Sequence, residues 1–171
     1  MNTSYIKIGR ILSILLILAF IATSIFIFSN SLKSRSSSAN DSDSVTNAIK
    51  PFVDPDGKVT SIAFTKIIRK LAHFAEFALL GVELALFRLV FKKRSTLLRR
   101  SLSVPSLLLI SLLIALLDET LQIFSGRSAE VTDVWIDFSG AIFGILFVYL
   151  AATLIAHIKK RPKKSTPPQE V

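Results

Sequence analysis

Four long apolar segments constrain the fold of this chain more than any other feature of its sequence. They are residues 11–28, 71–91, 104–124 and 134–155. A helix needs about 20 mostly apolar residues to cross a bilayer, and the four segments approach or exceed that length. The composition agrees, with 51% hydrophobic residues and 13 Phe. The sequence therefore predicts an all-α polytopic membrane protein with a bundle of four transmembrane helices.

The first apolar segment has a second interpretation as a signal peptide, because Lys7 and Arg10 precede it. Signal peptides usually have an apolar region of about 7–15 residues, followed by a small-residue cleavage site. Residues 11–28 are longer than that, and no clean site of this kind follows them. We therefore predict an uncleaved membrane helix.

Lysine and arginine residues in the connecting segments predict the orientation, because they favour the cytoplasmic side. Residues 92–100 carry five basic residues and no acid, and the tail sequence KKRPKK adds five more. Residues 29–70 instead mix seven basic with four acidic residues, and residues 125–133 mix one with two. Both termini are therefore predicted to be cytoplasmic, with the mixed-charge segments outside.

The predicted organisation has a cytoplasmic N-terminus at residues 1–10, a membrane domain at 11–155 and a basic cytoplasmic tail at 156–171. Within the domain, residues 29–70 form an outer loop. Its Ser-rich beginning is typical of a flexible segment, and the sequence VDPDG predicts a turn. The apolar spacing from Val59 to Ile67 then predicts an amphipathic helix that leads into the second span.

Ionisable residues interrupt the apolar segments, although a central charge costs about 2.5–3.5 kcal/mol on insertion scales. In the predicted topology, Glu76 and Asp118 each lie roughly 9 Å below the outer boundary. Intramembrane ionisable groups generally pair with one another or face a wet cavity. We therefore predict a shared outward-facing site, whose residues are Lys70, His73, Glu76, Asp118, Glu119, Gln122, Arg127, Asp133 and Asp137.

Several of these residues also have structural interpretations. His73 alone could donate an interhelical hydrogen bond, Asp133 could cap the fourth span, and Glu119 could lie in a packing interface. Lys70 and Arg127 could be anchors at the membrane interface. The common depth of the whole set favours the site.

Two further features are interpreted as structural. Glu83 lies much deeper, about 20 Å from the boundary, and a separate pairing is expected for it. Gly140 and Gly144 form a small-xxx-small face, which lets helix backbones approach closely. We expect that face to serve packing.

Two blocks of sequence are specific when taken together: KLAHFAEFALLG, residues 70–81, and DETLQIFSGRSAEVTDVWIDFSGAIFG, residues 118–144. They resemble the VanZ-like family of small bacterial membrane proteins, and the resemblance covers about residues 10–155. The chain departs from the family pattern at Phe77, where Tyr is frequent, and at Asp137, where Asn is typical. The resemblance implies a location in the bacterial cell membrane and a link to resistance to teicoplanin, a lipidated glycopeptide.

The preferred hypothesis for function is the binding or modification of an envelope amphiphile, with a contribution to teicoplanin tolerance implied by the resemblance. Lys70, Arg127 and protonated His73 could bind a phosphate or carboxylate head group, while apolar walls accept acyl chains. The expected partner is a membrane lipid or a lipid-linked envelope molecule, with a lipoglycopeptide as a further candidate.

Two alternatives remain open at the level of sequence. A membrane enzyme could use His73, Glu76 and Asp118 as acid and base on an envelope lipid or lipid-linked sugar. A proton-coupled carrier could use the same polar residues for coupling, whereas a structural partner in an envelope complex would depend on the face formed by Gly140 and Gly144. No cofactor and no metal are predicted, because the chain has no Cys and only one His within an apolar segment. Nucleic-acid binding is not predicted, since no known binding module accompanies the basic runs.

Overall fold

The computed structural model describes residues 3–91, 102–127 and 130–160, and all regular structure in these ranges is α-helical. The helices are α1 (Thr3–Ser31), α2 (Arg35–Val53), α3 (Ser61–Phe91), α4 (Val104–Phe124) and α5 (Val131–Lys160). The predicted all-α class is therefore confirmed. Parts of the predicted termini, and the 92–100 segment used for the orientation, lie outside the described residues.

Three helical segments are long and apolar enough to cross a membrane, judged by length and composition alone: Arg10–Ser31, Val104–Phe124 and Val131–Lys159. They correspond to the first, third and fourth predicted spans. Helix α3 is equally long, but it contains Glu76, Glu83 and Arg88 within its apolar part. Its composition alone therefore does not identify it as a span.

Helices α3 and α5 form the central pair of the bundle, and α3 contacts each of the other four helices. Gly140 and Gly144 of α5 lie directly against the backbone of Phe74 and Ala78 in α3, and Gly81 of α3 lies against α5 in return. A Cβ atom at any of these glycines would overlap backbone atoms of the facing helix. This arrangement agrees with the packing role expected for the glycine face.

The interior of the bundle is apolar over most of its length, and so is much of its exterior. Large side chains such as Ile14, Leu117 and Phe147 are exposed, as expected of helices that face lipid. The buried core consists of Ile27, Phe77, Leu80, Leu84, Ala85, Leu107, Ala115, Val134, Ala141, Ile145 and Val148. Buried polar side chains, among them Glu83, Asp118 and Asp137, interrupt this core.

Helix α2 occupies the Ser-rich segment that the sequence analysis interpreted as flexible, so that interpretation was wrong. Ser34 caps the helix by accepting a hydrogen bond from the backbone N–H of Ser37 at 3.3 Å. Thr65 of α3 then connects the two helices, through hydroxyl contacts with Asp43 at 2.9 Å and Thr46 at 3.1 Å. Tertiary contacts of this kind stabilise a segment whose composition alone favours disorder.

The turn predicted in VDPDG is present after α2. Gly57 has a φ of 65° and donates its N–H to the carbonyl oxygen of Asp54 at 3.1 Å. The Asp54 carboxylate accepts from the N–H groups of Val59 and Lys58 at 3.0 and 2.9 Å and pairs with Lys50 at 3.0 Å. These contacts lower the pKa of Asp54, and the hydrogen bond from Val59 has the largest effect. The charged carboxylate thus closes the turn.

The predicted amphipathic helix also exists, but it is not a separate element. It begins at Ser61 and continues without a break through the second predicted span as far as Phe91. A single rigid helix therefore carries both the surface residues that follow the turn and the polar residues of the bundle interior.

Substitution of Gly144 by Ala tests the close approach of α3 and α5. On helix propensity alone, the substitution would stabilise the protein by about 0.8–1.0 kcal/mol. We expect instead a loss of about 1–3 kcal/mol, the usual cost of overpacking, because the new Cβ meets the backbone of Ala78. Thermal unfolding in detergent measures the difference.

The matched control is Ser139→Ala on the same helix, at an exposed position where the hydroxyl donates only to the carbonyl oxygen of Ile136. It should leave the melting temperature unchanged or raise it slightly. A Gly144→Ala protein that is as stable as the control would contradict the packing described here.

Candidate functional site

Three helices bring one histidine and two aspartates together inside one end of the bundle. His73 comes from α3, Asp118 from α4 and Asp137 from α5, and one ligand-type atom of each lies within 4.8 Å of the others. The Nδ1 atom of His73 is 3.8 Å from Asp118 Oδ2 and 3.7 Å from Asp137 Oδ1. We call these residues the His–Asp–Asp cluster. Its atoms could hold a metal ion or share protons.

Asp118 is held in place by its neighbours. It is fully buried. Ser31, at the end of α1, donates a short hydrogen bond to its Oδ1 atom, and Gln122, one turn along α4, donates to its Oδ2 atom at 2.9 Å. The predicted pairing of Asp118 with Gln122 on one helix face is thus present. Ser31 adds a fourth helix to the cluster.

Asp137 is as deeply buried as Asp118, with 1% of its surface exposed, but it differs in its hydrogen bonds. Neither of its carboxylate oxygens has a hydrogen-bond partner among the described residues. The Nδ1 atom of His73 is likewise buried without a hydrogen-bond partner in this part of the chain. Buried polar atoms are nearly always satisfied. The cluster therefore has unused capacity to bind.

Lys70 lies in a separate ionic network beside the cluster. Its Nζ atom is 2.5 Å from Asp133 Oδ1 and 3.8 Å from Glu130 Oε2. The backbone N–H of Glu130 in turn donates to Glu119 at 2.6 Å. The network connects α3, α4 and the start of α5. Asp133 lies in the first turn of α5 and is the ion-pair partner of Lys70, and Glu119 contacts the segment that precedes α5.

Arg127 follows α4 and is 8% exposed. Its backbone N–H donates to the carbonyl oxygen of Gln122 at 3.0 Å, and its Nη1 atom donates to that of Asn30 at 3.5 Å. Burial lowers the pKa of Arg127, and the nearby charge of Arg69 acts in the same direction. A guanidinium nevertheless stays charged at neutral pH. Two like charges thus lie close together at this end of the bundle.

A partly open cavity of about 300 Å³ lies beside the cluster and is lined by residues of α1, α2 and α3 together with Lys33 and Arg127. We call it the basic cavity. Its lining includes the basic side chains Lys33, Arg69 and Arg127, the acidic side chains Asp41 and Glu76, and the imidazole of His73. The neutral polar residues are Asn30, Ser38 and Ser42, and the apolar ones are Phe26, Val45, Ile68 and Ala72. His73 belongs to both the cavity wall and the cluster.

The cations of the basic cavity differ in how they are paired. Lys33 forms an ion pair with Asp41 at 2.8 Å. Arg69 and Arg127, in contrast, form no ion pair with any carboxylate that the structure describes. Glu76, which also lines the cavity, accepts from Asn30 at 3.0 Å. The cavity therefore presents two guanidinium groups that can bind an anion.

The nine residues predicted for the site thus separate into three groups in the structure. His73, Asp118 and Asp137 form the cluster, with Gln122 bound to Asp118. Glu76 and Arg127 line the basic cavity together with His73. Lys70, Glu119 and Asp133 belong to the ionic network outside both. Their roles in binding stay predictions.

Sequence analysis missed Asn30, Ser31, Arg69 and the contribution of α2. The polar residues that end the first apolar segment were a usable signal, because they lie at the same predicted depth as Lys70. Arg69 is adjacent to Lys70, and only the helix geometry shows which of the two cations lines the cavity. The role of α2 could not be inferred from a segment interpreted as flexible.

Glu83 lies apart from the site, as expected. Thr23 of α1 donates to its Oε1 atom at 2.7 Å, and the side chain is 7% exposed. The contact connects α1 and α3 deeper in the bundle. This agrees with a separate pairing.

The profile of the VanZ/LLP1 family matches residues 12–152, which is most of the chain. The match includes α2, α3 and α4, most of α1 and α5, and all nine predicted site residues. Neither a comparison with curated proteins nor one with solved structures finds a significant match. The resemblance seen in the sequence is therefore confirmed, and the chain belongs to the VanZ/LLP1 family, as a VanZ-like membrane protein.

Proposed function

We propose that the protein crosses the bacterial cell membrane four times, with both termini in the cytoplasm and the site at the outer face. The described contacts support α3 as the second predicted span, in addition to the other three, because its acidic side chains contact α1 inside the bundle. Glu83 pairs with Thr23, and Glu76 pairs with Asn30. Buried partners of this kind reduce the cost of placing ionisable groups in a membrane.

We propose further that the basic cavity binds the anionic head group of an envelope amphiphile. The observation that carries this proposal is the pair Arg69 and Arg127, which line one cavity without a carboxylate partner in the described ranges. Guanidinium groups bind phosphate and carboxylate in a bidentate manner. A bound anion between them would also offset the repulsion of two neighbouring positive charges.

The apolar part of the basic cavity supports an amphiphilic ligand over a small soluble anion. Phe26, Val45 and Ile68 line the same space as the two arginines. An acyl chain could therefore follow this wall while its head group stays at the guanidinium groups. Membrane lipids, lipid-linked envelope molecules and lipidated glycopeptides share this chemistry. Tolerance of teicoplanin would follow if the protein binds the drug or the envelope molecule on which it acts.

A second candidate function is acid–base chemistry on the same ligand. His73 lines the basic cavity and lies within 4 Å of two buried carboxylates, so a small movement would let a carboxylate orient its imidazole as a base. Glu76 lines the cavity from the same helix. An enzyme would release a changed lipid or sugar, whereas a binding protein would return the ligand unchanged.

The topology is testable with single cysteines, because the chain has none of its own. Ser44→Cys places a thiol on the exposed surface of α2, and Ser165→Cys places one in the tail. A membrane-impermeant maleimide applied to intact cells should label the first variant only. Lysis should then expose the second. Labelling of Ser165→Cys in intact cells would refute the proposed orientation.

Lipid binding by the purified protein tests the role of the two arginines. We expect phosphatidylglycerol to bind more tightly than phosphatidylcholine in native mass spectrometry. Arg69→Gln and Arg127→Gln should each weaken the anionic lipid roughly tenfold, because one charged hydrogen-bonding group is worth about 1.5 kcal/mol or more. Lys66→Gln, an exposed cation of α3 outside the cavity, is the matched control. Equal losses in all three variants would indicate non-specific attraction.

Drug susceptibility tests the proposed biological role. A susceptible host would express wild type, His73→Ala, Asp118→Asn or Arg127→Ala at matched membrane levels. Teicoplanin would be compared with a glycopeptide that lacks the lipid tail. We expect wild type to raise tolerance of the lipidated drug several-fold and the variants to lose the effect. Variants that protect as well as wild type would show that these residues are structural.

A further inference from the structure

We propose that the His–Asp–Asp cluster binds one divalent metal ion of the Zn²⁺ or Mn²⁺ type. This inference goes beyond the proposed binding of an amphiphile and does not depend on it. It rests on the geometry, burial and partners of His73, Asp118 and Asp137.

The spacing of the cluster fits a metal ion after small movements. Zn²⁺ binds nitrogen and oxygen at about 2.0–2.2 Å, so neighbouring ligand atoms of such an ion lie about 3.0–3.6 Å apart. The nitrogen of His73 is 3.7 and 3.8 Å from the two carboxylate oxygens. All three ligand atoms lie within 4.8 Å of one another. Side-chain rotations that shorten these distances by up to about 1 Å would therefore close the site.

The charge of the cluster also favours a cation. Asp118 and Asp137 are 0% and 1% exposed, and His73 is the only cationic group within ion-pair distance of either among the residues described. Buried carboxylates are normally paired with cations or bound to metals. A divalent ion would neutralise both carboxylates at once, with His73 as a neutral ligand.

The hydrogen bonds around the cluster distinguish it from an ordinary buried pair. Both oxygens of Asp137 and the Nδ1 atom of His73 lack hydrogen-bond partners in the described ranges, and Asp137 is more than nine-tenths buried. Asp118 is instead oriented by Ser31 and Gln122. Metal ligands are commonly oriented by outer hydrogen bonds of this kind. The unpartnered Nδ1 atom of His73 and Oδ1 atom of Asp137 are free to bind an ion, and Asp118 Oδ2 would bind it while still accepting from Gln122.

The ligand types indicate the class of metal. Imidazole suits Zn²⁺ and other borderline ions, whereas carboxylates suit harder ions such as Mn²⁺. Three protein ligands leave at least one position of the ion for water or another ligand. Since His73 also lines the basic cavity, the ion would lie at the wall of that cavity.

This proposal replaces the expectation that the protein binds no metal. A single His in an apolar segment is a weak signal, and its partners lie 45 and 64 positions away in the chain. The site is thus a property of this chain and its tertiary contacts.

Metal binding by the purified full chain tests the proposal. The protein, carrying an affinity tag without histidine, would be stripped with a chelator and titrated with Zn²⁺ and with Mn²⁺. We expect one ion per chain for at least one of the two metals, by elemental analysis after dialysis, and a higher melting temperature when it is bound. Asp137→Asn and His73→Gln should each weaken that ion by at least a hundredfold.

Two further variants separate metal binding from general damage. Gln122→Ala removes an orienting partner of Asp118 and should weaken the ion about 10–100-fold. Glu83→Gln changes a buried acid in α3 that lies outside the cluster. This variant should bind the ion as tightly as wild type does. If variants fail to fold, the wild-type stoichiometry decides the question.

Either of two results would overturn the proposal. The first is a wild type that retains neither Zn²⁺ nor Mn²⁺ at one ion per chain. The second is an Asp137→Asn protein that binds the ion as tightly as wild type. If the wild type retains neither ion and the Asp137→Asn protein is more stable than wild type, the two carboxylates share a proton instead. The lipid-binding test with Arg69 and Arg127 is separate, so the failure of one proposal is distinguishable from that of the other.

Discussion

Direct backbone contact between α3 and α5 is the constraint on which the rest of the structure depends. Gly140 and Gly144 permit it, because any side chain there would push the two helices apart. The close approach places His73 of α3 beside Asp137 of α5. Helices α1 and α4 then pack around this pair and bring Ser31 and Asp118 to the same point. A packing feature thus determines the geometry of the polar site.

Charge is distributed unevenly inside the bundle, and this follows from the cost of ions in an apolar medium. Two carboxylates lie close to His73, whereas the guanidinium groups of Arg69 and Arg127 line the basic cavity beside the cluster. Lys70 is neutralised by Asp133 in a network of its own. Neither the carboxylates nor the two guanidinium groups are fully paired within the described residues. In a low-dielectric interior, such groups attract ligands of opposite charge strongly.

Much of the fold could be predicted because it depends on local properties of the sequence. Long apolar segments predict helices, the VDPDG sequence predicts a turn, and the small residues of α5 predict a close contact. Helix α2 could not be predicted in this way. Its Ser-rich composition favours disorder, and its contacts with Thr65 of α3 come from residues about 20 positions away. Tertiary contacts override weak local preferences of this kind.

The sequence by itself determined which residues share a depth in the bundle, because helix rise and chain direction place His73, Glu76, Asp118 and Asp137 at one end. It could not determine their lateral partners. Rotation of each helix about its own axis depends on packing, and a rotation of about 100° separates adjacent residues such as Lys70 and Arg69. Tertiary structure alone therefore decided that Arg69 lines the cavity, that Lys70 pairs with Asp133, and that His73 meets two aspartates.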